Sequence, residues 1–160
     1  MPHPVVADAL SRRRHGAAPT AHTGGIEAAL AGSRLFAPCS RRELRAVSRV
    51  ATVRSIPRGT YLMHEGDPGR TMYVILSGQV RVTRKGRKVA VLGPGDTVGE
   101  LAVISPGPRT ATVYADTDLE VAEIAKRDFG ALVDEVPAFA RKLLEALAER
   151  VRELDRRVFA

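Results

Sequence analysis

The residues best suited to chemistry lie in one stretch, Pro94-Gly95-Asp96-Thr97-Val98-Gly99-Glu100-Leu101-Ala102-Val103-Ile104-Ser105-Pro106-Gly107-Pro108-Arg109-Thr110-Ala111-Thr112-Val113. Gly99 leads into a short apolar turn, expected to be helical. N–H groups at the start of such a turn point outward and favour an anion. Pro106-Gly107-Pro108 restricts the loop that follows and is expected to deliver Arg109 at a strand start. Its guanidinium offers two parallel N–H donors to phosphate oxygens. Glu100 is out of place beside a phosphate unless its carboxylate faces something else. A ribose hydroxyl is the natural partner, because a carboxylate accepts a hydrogen bond from it. Backbone N–H groups, one Arg and one offset Glu together suggest a ribose phosphate. The same spacing also allows a structural salt bridge between Glu100 and Arg109 in a β-barrel.

Other chemistries find little support. His3, His15 and His22 lie near the N-terminus and His64 stands apart, so no pair has metal-ligand spacing. Cys39 is the single cysteine, which rules out an internal disulfide and a thiolate metal site. No Ser-centred nucleophile elbow and no Gly-x-x-x-x-Gly-Lys-Ser/Thr phosphate loop occurs. No catalytic residue, metal ligand or cofactor is therefore assigned, and no enzymatic activity is expected. The formal charge of +7 permits nucleic acid, an acidic partner or an anionic small molecule, without choosing among them. No apolar run is long enough to span a membrane, and no apolar stretch follows Arg12-Arg13-Arg14 as a secretory signal would require. A cytoplasmic protein is expected.

The elements that must position these residues follow from periodicity. Residues 1–24 are rich in Pro, Ala, Gly, His and Arg without a period, and are expected to be a disordered basic tail. One domain is expected over 25–160. Its first section is helical, over about 26–32 and 41–51, with Ser40 and Glu43 forming a capping box. From about 52 to 125, short β-rich runs alternate with glycine turns: 60–63, 72–76, 80–83, 89–92, 110–114 and 119–124. Many short strands at such spacing predict a mainly β jelly-roll barrel with flanking helices. Asp128 is expected to cap a short helix through Val133. Pro137 suits the first turn of a long helix to about 158. Its apolar positions Ala140, Leu144, Leu147, Val151, Leu154 and Val158 follow a heptad, readable as packing on the barrel or as a homodimer seam.

The stretch around Arg109 resembles the phosphate-binding cassette of the cyclic nucleotide-binding domain family. The resemblance covers about residues 34–158. It is carried by Leu35-Phe36, Gly59, Glu65-Gly66-Asp67, Tyr73, Gly78, Gly95-Asp96, Gly99-Glu100, Arg109, Ala111, Asp128-Phe129 and Pro137. It implies cAMP, or else cGMP, as ligand. By the same resemblance Arg109 pairs with the exocyclic phosphate oxygens. The N–H groups of Ala102 and Thr110 bind the phosphate, with the Thr110 hydroxyl added, and Ala111 completes the cassette. Glu100 and the Gly99 backbone hold the ribose 2′-hydroxyl. Val82, Val89, Leu101 and Val113 form apolar walls, each readable equally as barrel core. Val98 stands where relatives often carry Phe. A Thr at 110 leaves cAMP and cGMP both open. In the last helix, an Arg of the bacterial activators aligns with Arg150 and their adenine-contacting Thr aligns with Leu154, which would cap the base without reading its edge.

The resemblance implies a sensor whose C-terminal helix moves over bound ligand. The family couples that motion to kinases, channels or DNA-binding domains. None follows Ala160 here, so the output is expected to pass to a separate, unidentified effector, unless the chain is a fragment. Two other readings compete: an interaction module without ligand, and a nucleic-acid binder. Direct DNA binding is not expected, because no reading helix is recognisable and aromatics for stacking are few.

Overall fold

The computed structural model describes residues 23–159. The section expected to be a basic tail, with Arg12-Arg13-Arg14, His3, His15 and His22, lies outside the described residues except for its last two positions. Those open the first helix, α1 (Thr23–Gly32), earlier than periodicity suggested. Helix α2 (Arg41–Val50) begins with the expected capping box. Ser40 Oγ accepts from the Glu43 N–H at 3.2 Å, and Glu43 Oε1 accepts from the Ser40 N–H at 2.8 Å.

Eight strands follow: β1 (Thr52–Ile56), β2 (Tyr61–Met63), β3 (Thr71–Ser77), β4 (Val80–Arg84), β5 (Arg87–Leu92), β6 (Thr97–Val98), β7 (Thr112–Ala115) and β8 (Leu119–Ala125). A short helix, α3 (Glu100–Ile104), separates β6 from β7. Two helices close the chain, α4 (Lys126–Glu135) and α5 (Pro137–Phe159). The strands form two antiparallel sheets, ordered β1-β8-β3-β6 and β2-β7-β4-β5. This is the jelly roll with flanking helices that the sequence suggests.

Strand β3 shows why its apolar run is unbroken. Side chains alternate between faces. Tyr73 and Ile75 enter the core between the two sheets. Met72 and Val74 enter a second core beneath α1, α2, α4 and α5. A strand buried on both faces needs no polar positions. Three details depart from expectation. Strand β1 pairs with β8 along its whole length, although its mixed side chains hid it. Strand β7 starts at Thr112 rather than Thr110, because the preceding residues are held in a bridged loop, Pro68 against Pro108. Asp128 does not cap α4. The cap is Ala125, since β8 runs directly into the helix. Asp128 instead lies in the first turn, where its charge complements the helix dipole.

The start of α5 is anchored on the helical layer. Phe139 is buried, stacked on Phe36 at 6.1 Å and edge-on to Phe129 at 5.7 Å. Lys142 donates to the buried carboxylate of Glu43. Farther along, Arg34 pairs with Glu153 at 2.7 Å. The capping box of α2 thus also ties the last helix to the first ones. Burial pushes the Glu43 pKa up, but hydrogen bonds from Lys142 and Ser40 outweigh it and hold the pKa below its ordinary value. A carboxylate with a depressed folded-state pKa stabilises fully above the ordinary carboxylate range. That contribution is lost as pH falls through the folded pKa. Glu43→Gln keeps the cap geometry but removes the charge. It is expected to cost about 2 kcal/mol at neutral pH, below the value for a fully buried pair because Lys142 keeps some solvent contact. In thermal melts against pH, the gap between the proteins should close as pH drops below the carboxylate range. A gap independent of pH would contradict this role for the Glu43 charge.

Candidate functional site

Arg109 is buried, with 7% of its surface exposed. Its neighbours in the fold hold both its backbone and its side chain. Its backbone N–H donates to the Asp67 carbonyl at 2.8 Å, and its carbonyl accepts from the Gly66 N–H at 2.8 Å. Its Nη1 donates to the Thr71 carbonyl at 2.7 Å and its Nη2 to Thr71 Oγ1 at 3.0 Å. Thr71 in turn contacts Tyr73 Oη at 3.4 Å. Two glycines make room for the guanidinium. A Cβ on Gly69 would stand 2.5 Å from Arg109 Nε, and one on Gly99 would stand 2.6 Å from Nη1. Thr71 and Gly69 went unassigned in the sequence. Nothing in the glycine-rich turn over Glu65-Gly66-Asp67-Pro68-Gly69 points to an arginine partner.

Among the described residues no carboxylate pairs with Arg109, so the salt bridge to Glu100 is not formed. Burial pulls the Arg109 pKa down, and the nearby Tyr73 hydroxyl partly offsets this. Guanidinium stays charged in proteins. A buried cation without an anion is costly. Helix α3 stands beside it. Its N-cap, Gly99, has φ +79, a left-handed conformation that glycine adopts freely. Gly99 has no side chain to cap this end, so the first turn of α3 receives no N-cap side-chain hydrogen bond.

Glu100 is half-buried at the first position of α3. Burial raises its pKa; a hydrogen bond with its own backbone and the positive charge of Arg150 oppose the rise. The fold thus brings Arg150 of α5 into the electrostatic field of the α3 carboxylate. Ala102 and Ala111 are buried, and Thr110 is exposed. Val82 and Val113 face each other across β4 and β7 and are buried between the sheets. Val89 and Leu101 are not core: they are 53% and 50% exposed. Val89 falls where the β4–β5 register slips, between Val82 and Thr83, so no partner residue on β4 covers it. Leu154 is half exposed on α5 and Arg150 is exposed. Gly99 and Arg109 are therefore brought together, with Glu100 and Ala102 on the helix that Gly99 opens, and Arg150 bears on Glu100 through space.

The model of the family described as "Cyclic nucleotide-binding domain" matches residues 53–136, from β1 through α4. The chain belongs to that family. Among curated proteins, this cyclic nucleotide-binding domain is similar to the cyclic AMP receptor protein of Thermus thermophilus. The two are 33% identical over 129 residues, which is 78% of this chain and 60% of the relative. Among solved structures, it is similar to the N-terminal domain of a transcriptional regulator from Streptomyces coelicolor. There the TM-score is 0.71 at 33% identity, over 79% of this chain and 94% of that one. It is also similar to the regulatory domain of Toxoplasma gondii PKA crystallised with cAMP, with TM-score 0.65 and 32% identity over 69% of this chain and 44% of that one. The chain thus spans about 60% of the length of the Thermus relative.

The two glycines of the segment that runs from the start of α3 to Arg109 should respond differently to a methyl group. Gly99→Ala meets Arg109 Nη1 at 2.6 Å and the Thr71 carbonyl at 2.9 Å, on a backbone that L residues avoid. It is expected to cost about 2 kcal/mol. A Cβ on Gly107 would meet nothing within 4 Å, so Gly107→Ala should be neutral or gain a few tenths of a kcal/mol. Urea denaturation midpoints check this. Equal midpoints for the two variants would mean that the cradle around Arg109 is loose.

Proposed function

We propose that this chain is a cyclic nucleotide sensor, with cAMP as its ligand, that reports occupancy to a separate effector in the cytoplasm. The observation that carries the reading is the buried, carboxylate-free Arg109 beside the uncapped start of α3. Those groups suit one compact anion. In this reading Arg109 and the N–H groups of Ala102 and Thr110 hold the cyclic phosphate. The Thr110 hydroxyl, exposed beside them, adds a donor. Glu100, with the Gly99 backbone, accepts from the ribose 2′-hydroxyl. Its pKa, raised by burial and held back by Arg150, suits a carboxylate that gains a neutral donor. Val89 and Leu101, open to solvent, join Val82 and Val113 as apolar walls. Ala111 closes the cassette. Family membership and the cAMP-named relatives support this, and cGMP is the alternative base. The chemistry is binding; no side chain is given a catalytic task. Residues 25–160 form the working domain, extended at its start by the first turn of α1.

Helix α5 has two roles in this reading. Its electrostatic reach to Glu100 supports Arg150 and Leu154 as the lid over the base. Its outer stripe supports a homodimer. Leu144, Val151, Leu154 and Val158 are 66%, 61%, 50% and 73% exposed. They stand at heptad spacing, the pattern of a helix seam. A seam shared by two chains would set each lid beside both sites.

Calorimetric titration with cAMP tests the phosphate assignment. Arg109→Ala is expected to lose about 30-fold or more in affinity, since truncating a buried charge partner costs roughly 2–5 kcal/mol. Arg109→Lys should recover only part, because ammonium lacks the planar fork. Near-normal affinity in Arg109→Ala would overturn the site. With 2′-deoxy-cAMP, wild type should bind much more weakly than with cAMP, and Glu100→Ala should nearly erase the difference. Discrimination that survives in Glu100→Ala would leave Glu100 a structural residue. For α5, cAMP should slow hydrogen exchange over 138–158 as well as 99–113. In sedimentation equilibrium, Val151→Glu should convert a dimer to a monomer. Exchange changes confined to 99–113 would remove the lid, and a monomeric wild type would remove the seam.

A further inference from the structure

Helix α2 carries four arginines, Arg41, Arg42, Arg45 and Arg49, all exposed. At 3.6 residues per turn they fall within about a 100° arc. Among the described residues none of them has a carboxylate partner. The contrast with α5 is direct. There Arg141 pairs with Glu145 at 3.6 Å, and Arg152 and Arg156 pair with Glu149 at 3.4 and 3.3 Å. The acid of α2, Glu43, faces the other way and is consumed by Lys142 and Ser40.

This arrangement works against the helix that carries it. Arg41 and Arg42 occupy the first turn, at the positive end of the helix dipole. Arg41 with Arg45, and Arg45 with Arg49, are like charges four residues apart, and Arg42 with Arg45 three apart; such pairs destabilise a helix. An anionic partner would relieve all of these at once.

The stripe borders a groove of about 330 Å³ between α1 and α2, apart from the Arg109 site. Its lining is Glu27, Ala28, Ala31, Arg41, Leu44 and Arg45. We propose that this groove and stripe bind an acidic protein segment, which seats an apolar side chain on Ala28, Ala31 and Leu44 and sets carboxylates on Arg41 and Arg45. Arg41, Arg45 and Arg49 rise about 6 Å per step along the helix, the spacing of carboxylates four apart on a partner helix. Other anionic polymers fit less well. No aromatic stands on α1 or α2 to stack a base. A membrane surface would need apolar anchors beside the arginines. Among the described residues, the exposed large hydrophobic side chains all lie elsewhere, from Tyr61 onward. The proposal stands on this surface alone and does not depend on which ligand Arg109 takes.

Fluorescence anisotropy with three labelled probes tests it: a dodecapeptide with Glu at four-residue spacing and Leu between, the same peptide with Ser for Leu, and a single-stranded DNA of equal length. Wild type should bind the Glu/Leu peptide at least about tenfold tighter than either other probe. Arg41→Glu with Arg45→Glu should lose about tenfold or more for that peptide. Arg87→Glu with Lys88→Glu, an equal charge change on the β4–β5 hairpin, should not. The single variant Arg45→Glu sets a carboxylate four residues from both Arg41 and Arg49, so it should melt no lower than wild type while binding the peptide more weakly. Equal binding of the Glu/Leu and Glu/Ser peptides, tighter binding of DNA, or equal losses in both double variants would overturn the proposal.

Discussion

The structure is organised around one constraint: a guanidinium is held in the interior without a carboxylate. Buried charges ordinarily come paired. Arg109 instead receives two neutral acceptors from Thr71 and room from two glycines. The loop before β3 holds its backbone on both sides. Such support fixes the cation in position and leaves the anion to come from outside. The start of α3 adds to the same demand, since Gly99 offers it no capping side chain.

The barrel exists to make that arrangement rigid. β3 is buried on both faces and brings Thr71 to the guanidinium at its first residue. The inter-sheet core holds Val82 and Val113, while Val89 and Leu101 stay open. The helices pack on the far face of β3. α5 is bound at its start through Phe139 and Lys142, yet its later turns expose Leu144, Val151 and Val158. Arg34 holds α5 a second time, farther along, through a solvent-exposed ion pair with Glu153.

Most of the fold could be read from the chain. Glycine turns and short apolar runs reveal β2, β3, β4, β5 and β8, and the capping box marks α2. What escaped did so for physical reasons. β1 carries Arg54 and Ser55 among its five residues and is recognisable only by its pairing with β8. β6 has two residues, too few for any period. Asp128 looked like a cap because its residue type suits one, but the cap position is set by where β8 ends. At the site, Gly99, Glu100 and Arg109 were legible from type and order. Thr71 was not, because it lies 38 positions from Arg109 and only folding brings them together. Val89 and Leu101 read as core by their apolar character, and neither is covered.

The central claim is that Arg109 waits for a cyclic phosphate. The most direct measurement is the side-chain ¹H–¹⁵N spectrum of arginine-labelled protein during titration with cAMP, with Arg109 assigned from Arg109→Lys. The account predicts that the Arg109 guanidinium signals shift and become protected from exchange as cAMP binds, ahead of the arginines on the outer surface. Saturation by cAMP with the Arg109 signals unmoved would contradict it.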